Sequence, residues 1–112
     1  MIATPIGKAG LKISVLGLGT WAFAADGFWG GQDEKNSLST IRAALDSGIT
    51  LIDTAEAYGA GRSEEIVGRA LQGVREKAII ATKVSGANLG KADLLAACER
   101  SLIRLKTDYI DL

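Results

Sequence analysis

Short apolar runs alternate with amphipathic segments in this chain, and that alternation restricts its fold more than any other feature. The runs 50–53 and 78–82 are apolar and flanked by polar or glycine-containing joints, which is typical of buried strands. Leu38, Ile41 and Leu45 recur at the spacing of one helical face. Because strands that alternate with helices over short connections build parallel sheets, the chain is predicted to be an α/β protein.

The predicted elements follow one another without a long linker. The first are a β-hairpin formed by 2–6 and 11–14, a buried strand at 15–19 and a long loop at 20–33. A helix from Glu34 that stops at Gly48, a strand at 50–53, a helix capped by Ser63 and ending near Gly73, and a strand at 78–82 come next. The last are a helix with the apolar stripe Leu94, Cys98, Leu102 and Leu105, and the start of a fourth parallel strand at 108–112. This order fits half of a (β/α)8 barrel or a small open sheet, and periodicity does not separate the two.

Charge and composition restrict the partners of the chain. Thirteen Lys and Arg residues balance thirteen Asp and Glu residues, so the net charge is zero. Nucleic acids and anionic membranes are recognised by basic surfaces, so neither is expected to be a partner. The single cysteine, Cys98, cannot form an internal disulfide, and neither a signal peptide nor a membrane-spanning run is visible. We expect a cytoplasmic enzyme without a metal site.

Three ionisable residues follow the predicted strands at the edge where α/β proteins build their sites. Asp53 ends one strand, Tyr58 lies in the loop after it, and Lys83 follows the next strand. A tyrosine has a reference pKa of about 10, but a lysine cation stabilises its phenolate, and a carboxylate holds that lysine charged. Such a tyrosine can protonate a carbonyl oxygen as hydride arrives at the carbon. Spacing alone leaves a second interpretation open, in which the three residues cap a loop, pack and face solvent.

Five segments resemble the aldo-keto reductase family in order and spacing. They are Gly17-Leu18-Gly19-Thr20-Trp21, Asp53-Thr54-Ala55-Glu56-Ala57-Tyr58-Gly59, Ser63-Glu64-Glu65-Ile66-Val67-Gly68, Ala81-Thr82-Lys83, and Ser101-Leu102-Ile103-Arg104-Leu105 with Asp108-Tyr109-Ile110-Asp111-Leu112. Within that family, segments 29–34 and 49–53 are most similar to bacterial members that resemble potassium-channel β subunits. The resemblance covers essentially the whole chain.

The resemblance implies a fold, a cofactor and a set of site residues. The fold is the N-terminal half of a (β/α)8 TIM barrel, its floor plugged by the hairpin, with residues 1–112 as the N-terminal portion of one domain. The activity is NADPH-dependent reduction of aldehydes or ketones. Asp53, Tyr58 and Lys83 match three members of the family's catalytic tetrad: Tyr58 as general acid, Lys83 as the cation that favours its ionised form, and Asp53 as the carboxylate that holds Lys83. The nicotinamide and its ribose are expected to lie against Gly19, Thr20, Trp21 and Asp53, with Trp21 and Trp29 as walls of the substrate pocket.

The fourth tetrad member of the family is a histidine a few residues beyond the segment that matches 108–112, and this sequence contains no histidine. The residues that hold the cofactor phosphates in the family also come mostly from later segments. We therefore expect the chain to be truncated and inactive by itself. Because its first and fourth strands would be open edges, we expect it to self-associate or to need a C-terminal half. Two alternatives remain: a non-catalytic regulatory subunit, or a half barrel of structural interest only, engineered or produced by proteolysis.

Overall fold

The computed structural model describes residues 1–112, and its helices and strands follow the predicted order. The strands are β1 (Ala3–Ile6), β2 (Leu11–Ser14), β3 (Gly17–Gly19), β4 (Leu51–Asp53) and β5 (Ile79–Ala81). The α-helices are α1 (Glu34–Asp46), α2 (Arg62–Ala70) and α3 (Lys91–Leu105). Short 3-10 helices lie at Trp21–Ala24, Arg75–Lys77 and Gly86–Asn88. None of the helices has the length and apolar character needed to cross a lipid bilayer.

Two sheets organise these elements. The strands β3, β4 and β5 form a parallel sheet in that order, and each crossover between neighbouring strands carries a helix. The strands β1 and β2 form the predicted antiparallel hairpin. Ser14 and Thr50 exchange hydrogen bonds between backbone N–H groups and side-chain hydroxyls, which attach the hairpin just before β4. The hairpin therefore lies at the N-terminal ends of the parallel strands, away from the edge where the candidate site lies.

The hydrophobic core lies between the parallel sheet and the helices. Ile52 and Ile80 are register partners on neighbouring strands and are fully buried. Successive side chains of a strand point to opposite faces, so Asp53 and Ala81 lie on the face turned away from this core. The remaining core residues come from the helices and their flanking turns: Ile41, Ile66, Val67, Ala70, Leu71, Ala78 and Leu105.

Two predictions about the segment 15–33 were wrong. The strand at 15–19 is not buried: only Gly17–Gly19 pairs with β4, and Val15 and Leu16 are 52% and 57% exposed. Since β3 is an edge strand of the sheet, no second neighbour covers these side chains. The predicted loop at 20–33 contains a 3-10 helix, Trp21–Ala24, closed by Ala25 in the left-handed region at φ 54°.

Three further predictions need correction. Ser63 does not cap α2; Gly61, at φ 95°, is the N-cap, and Ser63 is buried inside the first turn. The buried stripe of α3 consists of Ala97, Ser101 and Leu105, two of which are small enough for close packing, whereas Leu94 and Cys98 are exposed. No fourth strand is formed at 108–112, although the backbone of Leu112 hydrogen-bonds to Ile80 and Thr82 in the manner of a parallel neighbour.

Candidate active site

The site lies at the C-terminal ends of the parallel strands, and strand register brings its charged residues together. Asp53 is the last residue of β4, and its register partner on β5 is Ala81. Lys83 follows two residues later, on the same face as Ala81 by strand periodicity. The aliphatic part of Lys83 therefore starts beside Asp53, 30 residues away in sequence, and its ammonium needs only a short reach to the carboxylate.

The ammonium of Lys83 connects the three predicted catalytic residues. Its Nζ donates to both carboxylate oxygens of Asp53 at 2.8 and 2.9 Å, and to the carbonyl oxygen of Thr54 at 2.9 Å. It also lies 3.3 Å from the phenol oxygen of Tyr58, which accepts from it. Since the phenol oxygen is an acceptor towards Lys83, the Tyr58 proton is free to point away from the lysine. The three residues predicted from sequence thus lie in one hydrogen-bonded cluster.

Lys83 remains a cation over the whole physiological pH range. Partial burial works against its charged form, but the hydrogen bonds and negative charge supplied by Asp53 and Tyr58 outweigh that effect. The pKa of Lys83 is consequently raised above its ordinary value of 10.5. Any stability that this charge contributes is present below that value and is lost as the pH rises through the raised pKa. A fixed positive charge beside a phenol is the arrangement that stabilises a phenolate.

Aromatic side chains cover one side of Tyr58. The ring of Trp21 stacks on the Tyr58 ring with centroids 5.5 Å apart and an interplanar angle of 12°. Phe28 stacks on Trp21 at 5.0 Å, and Trp29 meets Trp21 edge-on at 5.7 Å. Trp21 and Trp29, both expected from sequence to wall a substrate pocket, therefore lie together beside the candidate proton donor.

Gly19 and Thr20, two residues predicted to contact a cofactor, differ in what they expose. Gly19 is the register partner of Asp53, and a Cβ built on it would meet no atom within 4 Å, so its backbone faces open space. Thr20 is fully buried, and its hydroxyl hydrogen-bonds to the carbonyl of Asp53 at 2.9 Å and to the hydroxyl of Ser63 at 2.7 Å. The Ser63 hydroxyl also lies 3.0 Å from that of Thr54. The side chain of Thr20 thus supports the backbone behind the site and has no surface for direct contact with a ligand.

Glu56 is a structural part of the site that sequence reasoning missed. Its carboxylate accepts from the backbone N–H of Ser85 at 2.9 Å, from Asn88 at 3.0 Å and from Arg100 at 3.2 Å. The Ser85 hydrogen bond is the main reason why the pKa of Glu56 falls from 4.5 to about 2; partial burial opposes it, and Asn88 and Arg100 add to it. Glu56 thereby joins the loop that carries Tyr58 to the loop that follows Lys83. In the sequence, only its position inside the segment 53–59 could have indicated that Glu56 belongs to the site.

Glu64 is a second residue with an unexpected role. It lies in the first turn of α2, where the helix dipole favours negative charge, and it is completely buried. Its Oε2 lies 2.6 Å from Nε of Arg104 on α3, and its Oε1 accepts from the hydroxyl of Thr82 at 2.7 Å. Because Thr82 immediately precedes Lys83, this buried pair also fixes the backbone from which Lys83 projects.

The fold and this cluster define half of a (β/α)8 barrel with an Asp, Tyr and Lys site at the C-terminal ends of its strands. The family model described as "Aldo/keto reductase family" matches residues 15–112. The chain belongs to the aldo/keto reductase family. The sequence-based assignment to this family is therefore confirmed. Membership in the family favours the half barrel over the open sheet.

Individual relatives agree with this assignment. The chain is 51% identical over 119 residues to the aldo-keto reductase YhdN of Bacillus subtilis, covering 97% of this chain and 36% of that protein. It is 42% identical to the methylglyoxal reductase YeaE of Escherichia coli, covering 91% of this chain and 34% of the other. A Klebsiella pneumoniae aldo-keto reductase solved in complex with NADPH superposes with a TM-score of 0.84 at 37% identity, over 99% of this chain and 38% of that one. The chain thus spans about a third of the length of the curated relatives it matches.

Proposed function

We propose that this chain forms the first half of the barrel of an NADPH-dependent reductase that converts aldehydes or ketones to alcohols. The observation that carries the proposal is the position of the Lys83 ammonium, which lies within hydrogen-bonding distance of both the Asp53 carboxylate and the Tyr58 phenol. In this proposal Tyr58 is the general acid, Lys83 the cation beside it and Asp53 the residue that holds Lys83.

The hydrogen bonds support a separate role for each of these three residues. Asp53 and the Thr54 carbonyl fix the ammonium of Lys83 from one side, so its charge stays next to the phenol oxygen of Tyr58. As the substrate oxygen gains negative charge, Tyr58 donates its proton to that oxygen. The phenolate left behind is stabilised by Lys83, whose raised pKa keeps it protonated during the transfer.

The residues around this cluster fit a nicotinamide cofactor. The backbone at Gly19 is open beside Asp53, so a flat ring can approach it without meeting a side chain. The exposed indole of Trp21 supplies an adjacent apolar surface. When bound there, NADPH supplies the hydride. We infer NADPH because the Klebsiella relative with the same fold was solved in complex with it.

The decisive test is Tyr58→Phe in the whole protein. Oxidation of NADPH with 4-nitrobenzaldehyde is followed, and cofactor affinity is measured separately. Removing the phenol oxygen should lower kcat by roughly 10²–10⁴-fold and leave NADPH affinity nearly unchanged. The matched control is Tyr109→Phe, since Tyr109 is the other tyrosine of the chain and packs against Arg75 outside the site. A Tyr58→Phe variant with near wild-type kcat would show that another group donates the proton.

A second candidate is a non-catalytic subunit. The chain is 34% identical over 116 residues to a probable voltage-gated potassium channel subunit beta of Arabidopsis thaliana, covering 95% of this chain and 34% of that protein. Binding of NADPH without turnover of any aldehyde, in a protein with Asp53, Tyr58 and Lys83 intact, would favour this candidate over the reductase.

A further inference from the structure

The carboxylate of Asp26 organises the aromatic residues beside Tyr58. Its Oδ2 accepts from Nε1 of Trp21 at 2.9 Å. Its Oδ1 accepts from the backbone N–H groups of Phe28 at 3.1 Å and Trp29 at 3.3 Å. A single side chain therefore fixes both the rotation of the indole and the turn that carries the two neighbouring aromatic residues.

The indole held in this way lies directly on the candidate general acid. Trp21 stacks on both Phe28 and Tyr58, with interplanar angles of 8° and 12°. The Tyr58 ring in turn has the Lys83 ammonium 5.0 Å from its centroid. The orientation of the phenol therefore depends on two neighbours, Lys83 and Trp21, and only Lys83 belongs to the charged cluster.

Backbone packing joins the same two segments independently of these rings. Gly59, next to Tyr58, adopts φ 59°, and a Cβ built on it would lie 2.7 Å from Cβ of Ala24. Ala24 is itself buried, and the following Ala25 adopts the left-handed conformation that turns the chain into Asp26. The segment 21–26 is thus seated against the loop of Tyr58, which keeps the indole and the phenol on two closely packed segments.

We propose that Asp26 is a positioning residue for proton transfer: by holding Trp21 against the ring of Tyr58, it orients the phenol towards the substrate oxygen. This inference rests on the proposed reductase function. Proton transfer requires the donor within hydrogen-bonding distance of its target, and misplacement by about 1 Å can cost on the order of 10²-fold in rate. Loss of the Asp26 contacts should therefore lower kcat, and because Trp21 also borders the proposed cofactor and substrate sites, KM and NADPH affinity should change by a smaller factor than kcat.

The test combines Asp26→Ala with a matched control and a double-mutant cycle in the whole protein. Asp33→Ala is the control, because Asp33 also lies between β3 and α1 and accepts from a backbone N–H, that of Lys35, but its carboxylate accepts no hydrogen bond from an aromatic residue. We expect Asp26→Ala to lower kcat by about 10-fold and Asp33→Ala to leave it near wild type. In a Tyr58→Phe background, Asp26→Ala should lower the residual rate by less than about two-fold, because residues that act through one another are not additive.

Indole accessibility gives a readout that is independent of turnover. In a Trp29→Phe background Trp21 is the only tryptophan, and Asp26→Ala should increase its quenching by acrylamide whereas Asp33→Ala should not. Should Asp26→Ala fail to fold, Asp26→Asn, which keeps one acceptor oxygen, carries the same test with a smaller decrease in kcat. Unchanged kcat and quenching in a folded Asp26 variant, beside an inactive Tyr58→Phe, would refute the positioning role alone. A wild-type protein that binds NADPH but reduces no aldehyde would refute the proposed function and the positioning role together.

Discussion

The buried ion pair between Glu64 and Arg104 allows a quantitative prediction about stability. The side chain of Glu64 is 0% exposed and that of Arg104 is 17% exposed. Breaking a buried pair by removing one partner costs about 3–5 kcal/mol, because the other charge stays buried and unpaired. In Glu64→Gln the side-chain volume is kept and one acceptor oxygen remains, but an amide NH2 group then faces Arg104 or the Thr82 hydroxyl. Because Arg104 is partly accessible to water, we expect a loss of about 2–4 kcal/mol in the free energy of unfolding.

Glu34→Gln is the matched control. Glu34 pairs with Arg62 at 2.9 Å and Arg69 at 2.7 Å, distances similar to that of the buried pair, but its side chain is 32% exposed. Exposed pairs contribute about 0–1 kcal/mol, so the same chemical change should cost about 1 kcal/mol at most. Both variants are compared with wild type by equilibrium urea unfolding at low and at about 0.5 M salt, which screens exposed charges more than buried ones. Equal costs for the two variants, or a Glu64→Gln cost that salt abolishes, would refute this account of the buried pair.

Three further predictions concern packing, acid sensitivity and completeness of the barrel. Gly68→Ala should lower the free energy of unfolding by about 1–3 kcal/mol, because the added Cβ would lie 2.6 Å from the carbonyl oxygen of Arg104. Gly31→Ala is the control: a Cβ there meets no atom within 4 Å, so the free energy of unfolding should change little. The low pKa of Glu56 means that its stabilising contribution is complete above pH 4.5 and is lost as the pH falls towards about 2, so Glu56→Gln should flatten the pH dependence of urea unfolding in that window. The isolated 112-residue polypeptide should oxidise no NADPH with 4-nitrobenzaldehyde. It should sediment as a species larger than a monomer, because Val15 and Leu16 are exposed. Measurable turnover would contradict the first expectation, and a strictly monomeric polypeptide would contradict the second.

The order of helices and strands could be predicted because local periodicity and burial agree there. The pairs of apolar residues around Ile52 and Ile80 identify strands, and the spacing of Leu38, Ile41 and Leu45 identifies α1. The clustering of Asp53 and Lys83 followed from the same order, since parallel strands place their C-terminal ends at one edge of the sheet. This part of the site could be predicted because it depends on topology alone.

The incorrect predictions depend on tertiary contacts. A serine three positions before the apolar run of α2 fits a cap, but the Ser63 hydroxyl is instead held between those of Thr20 and Thr54. Nothing near Ser63 in sequence indicates partners 43 and 9 residues away. The N-cap is Gly61, whose φ of 95° lies in the left-handed region that favours glycine; a Cβ built there would also lie 2.5 Å from the Arg104 side chain.

The supporting carboxylates were missed for a similar reason. An acidic residue in a loop or in a first helical turn is already explained by capping or by the helix dipole. The sequence therefore gives no reason to expect a hydrogen-bond partner far away in the chain. Glu56 and Asp26 each accept several hydrogen bonds. Only the structure shows that Glu56 joins the loop of Tyr58 to the loop after Lys83 and that Asp26 holds the indole of Trp21. The residues proposed to carry out chemistry therefore belong to a motif that is visible in the sequence, whereas the residues proposed to position them do not stand out there.

The exposed Asp53–Lys83 pair contributes less to stability than the buried Glu64–Arg104 pair is expected to. The Asp53 and Lys83 side chains are 41% and 50% exposed, so solvent screens their attraction, and the pair is expected to contribute about 0–1 kcal/mol to folding. Yet the Lys83 ammonium lies within hydrogen-bonding distance of four acceptors: two carboxylate oxygens, a carbonyl oxygen and a phenol oxygen. An ammonium has only three N–H donors, so all of them are engaged. Ordering a long, flexible lysine side chain costs conformational entropy. The small stability expected from the ion pair does not offset that cost. The ordering of Lys83 is explained if its charge must stay beside the phenol oxygen, and this is the requirement of the proposed proton transfer.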